Sequence, residues 1–457
     1  MKKFCGLLAA VLIASMMHCV AMANSGPAYW NNGPSFEPVA LEESSLDVVE
    51  EELLFDFSDP DSVWGWSPAA VVTATYQMSW PKEQPAASVQ MAFPLISSVL
   101  EISTEFSGVS VDGQPLDHQT FYGSAVYGLP YQNSQEDYLN HLDLEQVLKD
   151  VFDDTVALPS DNPAGTVYRL VPTAENCQVE VTIPDQVRGA SAYGLSSYAG
   201  DEKQTVLGAR FYDVEKDSLT FFLKGEPRED LIIKAYTIDE KQPLEQTAYR
   251  LETNYSTWLE WLLEGIRQYS GKSGIPLPEG EQWDRLFQQF QKETSQSQEI
   301  DLDTVASSLL RDDRLAVVLY TVDFQPGQQR EMTVQYQMQG SMDRRETQEP
   351  VYTYRYLTNP AKRWNSFGKL TVRVIPPSEA MELVDSSIPL ERQKDGSYQA
   401  TLEELPEENI VFSFCERGDP TPKKDPYELL TGMLWLVVLA LLALVVTLLL
   451  LRKQRRR

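Results

Sequence analysis

The chain is poor in histidine and cysteine, and that scarcity removes most familiar catalytic chemistries. Of 457 residues three are histidine and four are cysteine, and His18, Cys5 and Cys19 fall within the first 23. Beyond them a Ser-His-Asp enzyme would have to use His118 or His141, and neither lies near a nucleophile-elbow glycine pattern. No H-E-x-x-H or C-x-x-C string is present, so zinc has no ligand set, and no P-loop or dinucleotide fingerprint occurs. Positive charge is scarce as well. From Asn24 to Trp80 there are ten carboxylates and no lysine or arginine. Setting aside Lys2, Lys3 and the five cations of the C-terminal tail leaves 31 basic against 67 acidic residues, a net charge of −36. Such a surface excludes nucleic acid as a partner and favours cations or basic partners.

What the chain does have is a topology. Met1-Lys2-Lys3 is a charged n-region, Phe4 to Val20 an apolar stretch, and Ala21-Met22-Ala23 an A-x-A cleavage site, which together read as a signal peptide over 1–23. Neither a lipoprotein cysteine context nor an L-P-x-T-G sortase string is present. Leu429 to Leu451 is uncharged and mostly aliphatic. As a helix it rises about 34 Å, enough to cross a hydrocarbon core of about 30 Å. The basic tail Arg452-Lys453-Gln454-Arg455-Arg456-Arg457 places that end in the cytoplasm by the positive-inside rule. The expectation is a bacterial, single-pass type I cell-membrane protein with an extracellular N-terminal part and a cytoplasmic tail.

Periodicity predicts the fold of the exterior. Val72, Ala74, Tyr76, Met78 and Trp80 alternate with polar residues, and Val89, Met91 and Phe93 repeat the pattern after a turn. Val179/Val181/Ile183 and Leu219/Phe221/Leu223 continue it. A second block follows: Leu315 to Phe324 is apolar on both faces, hence a central strand, and Met332/Val334/Tyr336/Met338, Tyr352/Tyr354/Tyr356, Leu370/Val372/Val374, Tyr398/Ala400/Leu402 and Ile410/Phe412/Phe414 alternate. Asp143 with Gln146, and Thr257 with Glu260, mark helix starts by the capping pattern, and Gly271 reads as the stop of the second helix. The sequence thus predicts a mainly β fold with α insertions: two antiparallel β-sandwich-like domains, an inserted helical subdomain and one C-terminal transmembrane helix. The predicted division is an acidic N-terminal segment over 24–62, a β-sandwich-like domain over 63–244 with a helical insertion near 134–153, and a helical subdomain over 245–312. A second β-sandwich-like domain over 313–417, a linker over 418–428, the membrane helix over 429–451 and a tail over 452–457 complete it.

Candidate sites are few. Asp56, Asp59 and Asp61 supply hard oxygen ligands within one acidic turn, which suits calcium, although Ser62 and Val63 stand where an EF-hand loop has a later ligand and its glycine. Calcium is the one cofactor this pattern leaves room for; the alternative is a solvated acidic turn. Cys177 and Cys415, in an oxidising exterior, permit one disulfide or two separate buried thiols, and both readings stay open. Trp64 and Trp66, and Tyr352, Tyr354 and Tyr356, offer stacking surfaces for a sugar, weighed against ordinary core packing.

Two resemblances add to this. Asn24-Ser25-Gly26-Pro27-Ala28-Tyr29-Trp30, the acidic segment, Met91-Ala92-Phe93-Pro94 and the string Tyr356-Leu357-Thr358-Asn359-Pro360-Ala361-Lys362-Arg363-Trp364-Asn365-Ser366-Phe367-Gly368-Lys369-Leu370 resemble an uncharacterised Firmicute family of secreted or membrane-anchored proteins. The strand ending Phe93-Pro94 followed by Val109-Ser110-Val111-Asp112-Gly113 is similar to VIT-type domains, β-sandwiches whose resemblance implies protein interaction. The function expected is a non-enzymatic interaction or cell-envelope scaffold module with a protein or envelope partner. The alternative is an envelope carbohydrate hydrolase using paired carboxylates, which needs a sheltered groove with one carboxyl of raised pKa.

Overall fold

The computed structural model describes residues 29–30, 33–42, 44–59, 63–64, 67–126, 142–152, 162–184, 191–201, 203–239, 241–294, 300–378, 380–416, 418 and 420–422. The expected signal peptide, membrane span and basic tail, together with Asp61 and His141, lie outside the described residues. Among the described residues no helix is long and apolar enough to cross a membrane.

The molecule is mainly β with a few helices, as the alternating patterns require. Its largest sheet has nine strands. Asp47–Asp56 and Ser67–Ser79 lie at its centre, flanked by Ser366–Ile375 on one side and Gln329–Gln339 on the other. Each neighbour of this group buries alternate side chains: Val72, Ala74, Tyr76 and Met78 face the core from one strand, and Met332, Val334, Tyr336 and Met338 from the next. A six-stranded sheet containing Val351–Leu357 and Ile410–Glu416 shares this core. Phe55 and Phe57 meet Tyr354, Phe412 and Phe414 edge-on, with ring centroids 4.6–6.4 Å apart. Arg314–Phe324 is an inner strand of a four-stranded sheet, between Gln119–Ala125 and Ala87–Ser97. Its two apolar faces are covered accordingly.

The predicted boundaries do not separate these sheets. Strands before residue 126 pair with strands after residue 313, so the two expected sandwiches are interleaved around shared cores. The unit with a core of its own is an insertion between them. Two five-stranded sheets, one built on Ala164–Pro172 and the other on Cys177–Pro184, enclose Tyr168, Val179, Val181, Leu207, Phe211 and Phe221. Alternation fixes which face of a strand is buried but not which partner it chooses, and that is why the pairing departs from chain order. The pairing of Asp47–Asp56 with Ser366–Ile375 is also parallel, against the all-antiparallel expectation.

The segment expected to be an acidic arm is threaded through the fold. Tyr29–Trp30 pairs with Ser341–Asp343, Ser35–Phe36 with Val351–Leu357, and Val39–Ala40 with Ala87–Ser97. Its missing counter-charge is supplied from far along the chain: Lys369 Nζ lies 2.7 Å from Glu50, and Asn365 and Ser366 donate to Asp47 at 2.7 and 2.6 Å.

Helix starts follow the caps. Asp143 accepts the Gln146 N–H at 2.8 Å ahead of Leu144–Val151. Thr257 and Glu260 form a full capping box ahead of Trp258–Ser273. That helix runs past Gly271 and ends at Gly274, whose φ of 68° is the left-handed conformation a C-terminal cap needs. With Gly280–Thr294 and Leu302–Arg311 it packs into the same core as the sheets, so the expected helical subdomain is a flank of the main body. Cys177 and Cys415 are buried and not joined by a disulfide. Cys177 donates to the Ala174 carbonyl and Cys415 to that of Glu416, on separate sheets.

Candidate functional site

A cleft of about 370 Å³ opens beside Trp30, where three sheets and the end of a helix converge. Strand Ala87–Ser97 contributes Phe93, Leu95 and Ile96 to its walls, and strand Gln329–Gln339 contributes Tyr336 and Met338. Gly33, Pro34 and Ser35 close one side. Phe93 and Tyr336 pack with ring centroids 4.9 Å apart, and Trp30 stays 37 % exposed at the rim.

Carboxyl groups line the remaining side. Glu101 and Glu105 belong to the helical turn that follows strand Ala87–Ser97, and Asp312 and Asp313 follow helix Leu302–Arg311. The Leu100 N–H donates to the Leu310 carbonyl at 2.9 Å and pins the two segments together. Burial pushes Glu105 up to about 7, and the neighbouring Asp313 and Glu101 charges add to it against a hydrogen bond from Ser97. Burial likewise pushes Asp313 up to about 6, helped by Glu101 and Asp312. Low dielectric and crowding of like charge both disfavour the ionised form. Arg311, the basic residue of this wall, donates from Nε to the Tyr269 hydroxyl at 3.0 Å.

Behind the cleft lies a second carboxyl pair. Glu37, between strands Ser35–Phe36 and Val39–Ala40, and Glu51, on strand Asp47–Asp56, are both fully buried. Burial raises both, and Glu51 reaches about 7 even though the neighbouring Glu37, Tyr76 and Tyr356 groups favour its charged form. The Tyr356 hydroxyl donates to Glu51 Oε1 at 3.4 Å and lies 3.3 Å from the Tyr76 hydroxyl. Two neighbouring carboxyl groups cannot both ionise in a dry core, so Glu37, whose oxygens have no hydrogen-bond partner among the described residues, keeps its proton. With no surface reaching solvent, this pair offers nothing to a substrate.

The residues singled out by sequence lie elsewhere. Asp56 accepts the Ser58 N–H at 2.8 Å within a local turn, Asp59 is exposed, and Asp61 lies outside the described residues. Among the described residues no group of three His, Cys, Asp or Glu has metal-binding geometry. Tyr354 and Tyr356 are core residues; Tyr354 donates to the Pro68 carbonyl at 2.8 Å, so the tyrosines form no sugar shelf. Of the acids that matter, Glu51 had a readable signal, since it stands in phase with Leu53, Phe55 and Phe57 along one strand face. Glu105 and Asp313 had none, because their proximity depends on strand pairing across the whole chain.

No protein-family model matches the chain, and no curated protein matches it. Among solved structures, one titled a "putative nutrient binding protein" from Legionella pneumophila is similar at a TM-score of 0.30 and 8 % identity, over 85 % of this chain and 72 % of that one. At that level of likeness nothing passes from one protein to the other.

Proposed function

We propose that this chain is a non-enzymatic, extracytoplasmic interaction protein of the cell envelope, anchored by residues 429–451, and that the cleft beside Trp30 is where it recognises its ligand or partner. The carrying observation is the cleft: aromatic and aliphatic walls on β strands, with a few convergent carboxyl groups from the turns beside them. The apolar walls give contact area, and the carboxyl groups give selectivity for charge. Hydrogen exchange tests it. A low-molecular-mass envelope extract should slow exchange in Ala87–Ser97 and Gln329–Gln339 of the full chain, and Ile96→Trp, which fills the cleft, should abolish the effect. Unchanged exchange, or protection that survives Ile96→Trp, would refute it.

A second reading is favoured by one observation. Glu105, held near 7 in an open cleft, has the protonation a general acid needs, and a second carboxyl beside it would make carbohydrate hydrolysis feasible. Turnover of chromogenic glycosides that disappears in Glu105→Gln would establish this reading in place of the first.

A further inference from the structure

We infer that the cleft beside Trp30 takes an organic cation, an ammonium group carried on an aliphatic or aromatic body. The inference rests on the reading of the cleft as a ligand site and assigns the chemistry of the ligand. Charge is the first reason. Glu101, Glu105, Asp312 and Asp313 line one wall, and the Arg311 guanidinium is its one basic group among the described residues. A cation relieves repulsion among these carboxylates; an anion meets it in full, and a neutral molecule leaves it in place.

Unused hydrogen-bonding capacity is the second reason. Glu105 Oε2, on a residue of the wall, is buried and has no hydrogen-bond partner among the described residues. An ammonium group only donates, and this oxygen accepts. The third reason is the wall opposite. Trp30, Phe93 and Tyr336 line the cleft with aromatic residues, the type that attracts a cation, and Leu95, Ile96 and Met338 line it with apolar ones.

A proton is the competitor of such a ligand. Glu105 faces Asp313, Glu101, Ser97 and Tyr122, and burial among them pushes it up to about 7. An incoming ammonium takes the place of that proton, so binding strengthens as pH rises and releases protons.

Calorimetry on the full chain in a nonionic detergent tests this with four probes: phenethylammonium chloride, its neutral isostere phenethyl alcohol, calcium chloride and N-acetylglucosamine. Phenethylammonium should saturate the site and bind about tenfold more tightly than the alcohol, the difference a charge-assisted hydrogen bond makes. Its affinity should rise about tenfold between about pH 6 and about pH 8, with proton release, and Glu105→Gln should remove both the gain and the release. Asp313→Asn should weaken binding in the same direction, which guards against a misfolded Glu105→Gln. Equal affinity for amine and alcohol would overturn the cation inference, as would saturation by calcium or the sugar alone, yet each leaves the cleft standing as a binding site. No saturation by any probe, joined to unchanged exchange with the envelope extract, would overturn both.

Discussion

The buried pair Glu37 and Glu51 makes the stability of this protein depend on pH in a direction opposite to that of an ordinary surface carboxylate. Glu51 moves from its usual 4.5 up to about 7, first through burial. The folded state therefore holds this proton more tightly than the unfolded chain does. Its contribution is fully present below about pH 4.5 and is lost as pH rises through about 7. At about 1.4 kcal/mol per pH unit across that window, the loss is on the order of 3 kcal/mol. That is a large part of the roughly 5–15 kcal/mol that stabilises a domain. Glu51→Gln removes the titration while keeping an acceptor for the Tyr356 hydroxyl and adding a donor towards Glu37. At about pH 8 the variant should be more stable than wild type by about 2–3 kcal/mol; at about pH 4.5 the two should agree within about 1 kcal/mol. Urea unfolding of the full chain in detergent, followed by tryptophan fluorescence, gives the midpoints. Glu105 and Asp313 titrate in the same window, so wild type and variant are compared at each pH. A variant destabilised equally at both pH values, or one that gains nothing at about pH 8, would refute the buried-proton account.

Other outcomes follow from single contacts. Thr257→Ala should cost about 1 kcal/mol, because it removes the hydroxyl that caps Trp258–Ser273; circular dichroism melts read it. Gly368→Ala should cost about 1–3 kcal/mol, since a Cβ there would lie 2.1 Å from the Val49 carbonyl oxygen of the neighbouring strand; wild-type stability would show that the strand yields. Millimolar calcium should shift the melt no further than sodium chloride of matched ionic strength, because Asp56 and Asp59 belong to no metal-binding group among the described residues. A calcium-specific shift that Asp56→Asn and Asp59→Asn abolish would put the site back in that turn. Protease added to intact protoplasts should leave only a small anchored remnant, and a protected fragment containing Trp258 would sink the type I topology.

By itself the sequence determined the local elements. Period-two runs such as Val72 to Trp80 became strands, and the Asp143 and Thr257 caps opened helices, because each is decided by neighbours within a few residues. The apolar-both-faces run at Leu315 became an inner strand for the same reason. What the sequence left undecided was who pairs with whom. Only the tertiary structure placed Ser366–Ile375 beside Asp47–Asp56, and only that pairing brought Lys369 to Glu50. It also chose which of the clustered acids were to be buried. Glu50 and Glu52 point outward from the strand that buries Glu51, while Glu37 crosses between sheets and meets it from the other side. Glu105 and Asp313 share a cleft because strand Ala87–Ser97 pairs with Arg314–Phe324, more than two hundred residues away. A backbone hydrogen bond has no memory of chain separation, and a carboxyl group's proton affinity depends on what surrounds it in space. The strands were therefore legible in the sequence, and the site was not.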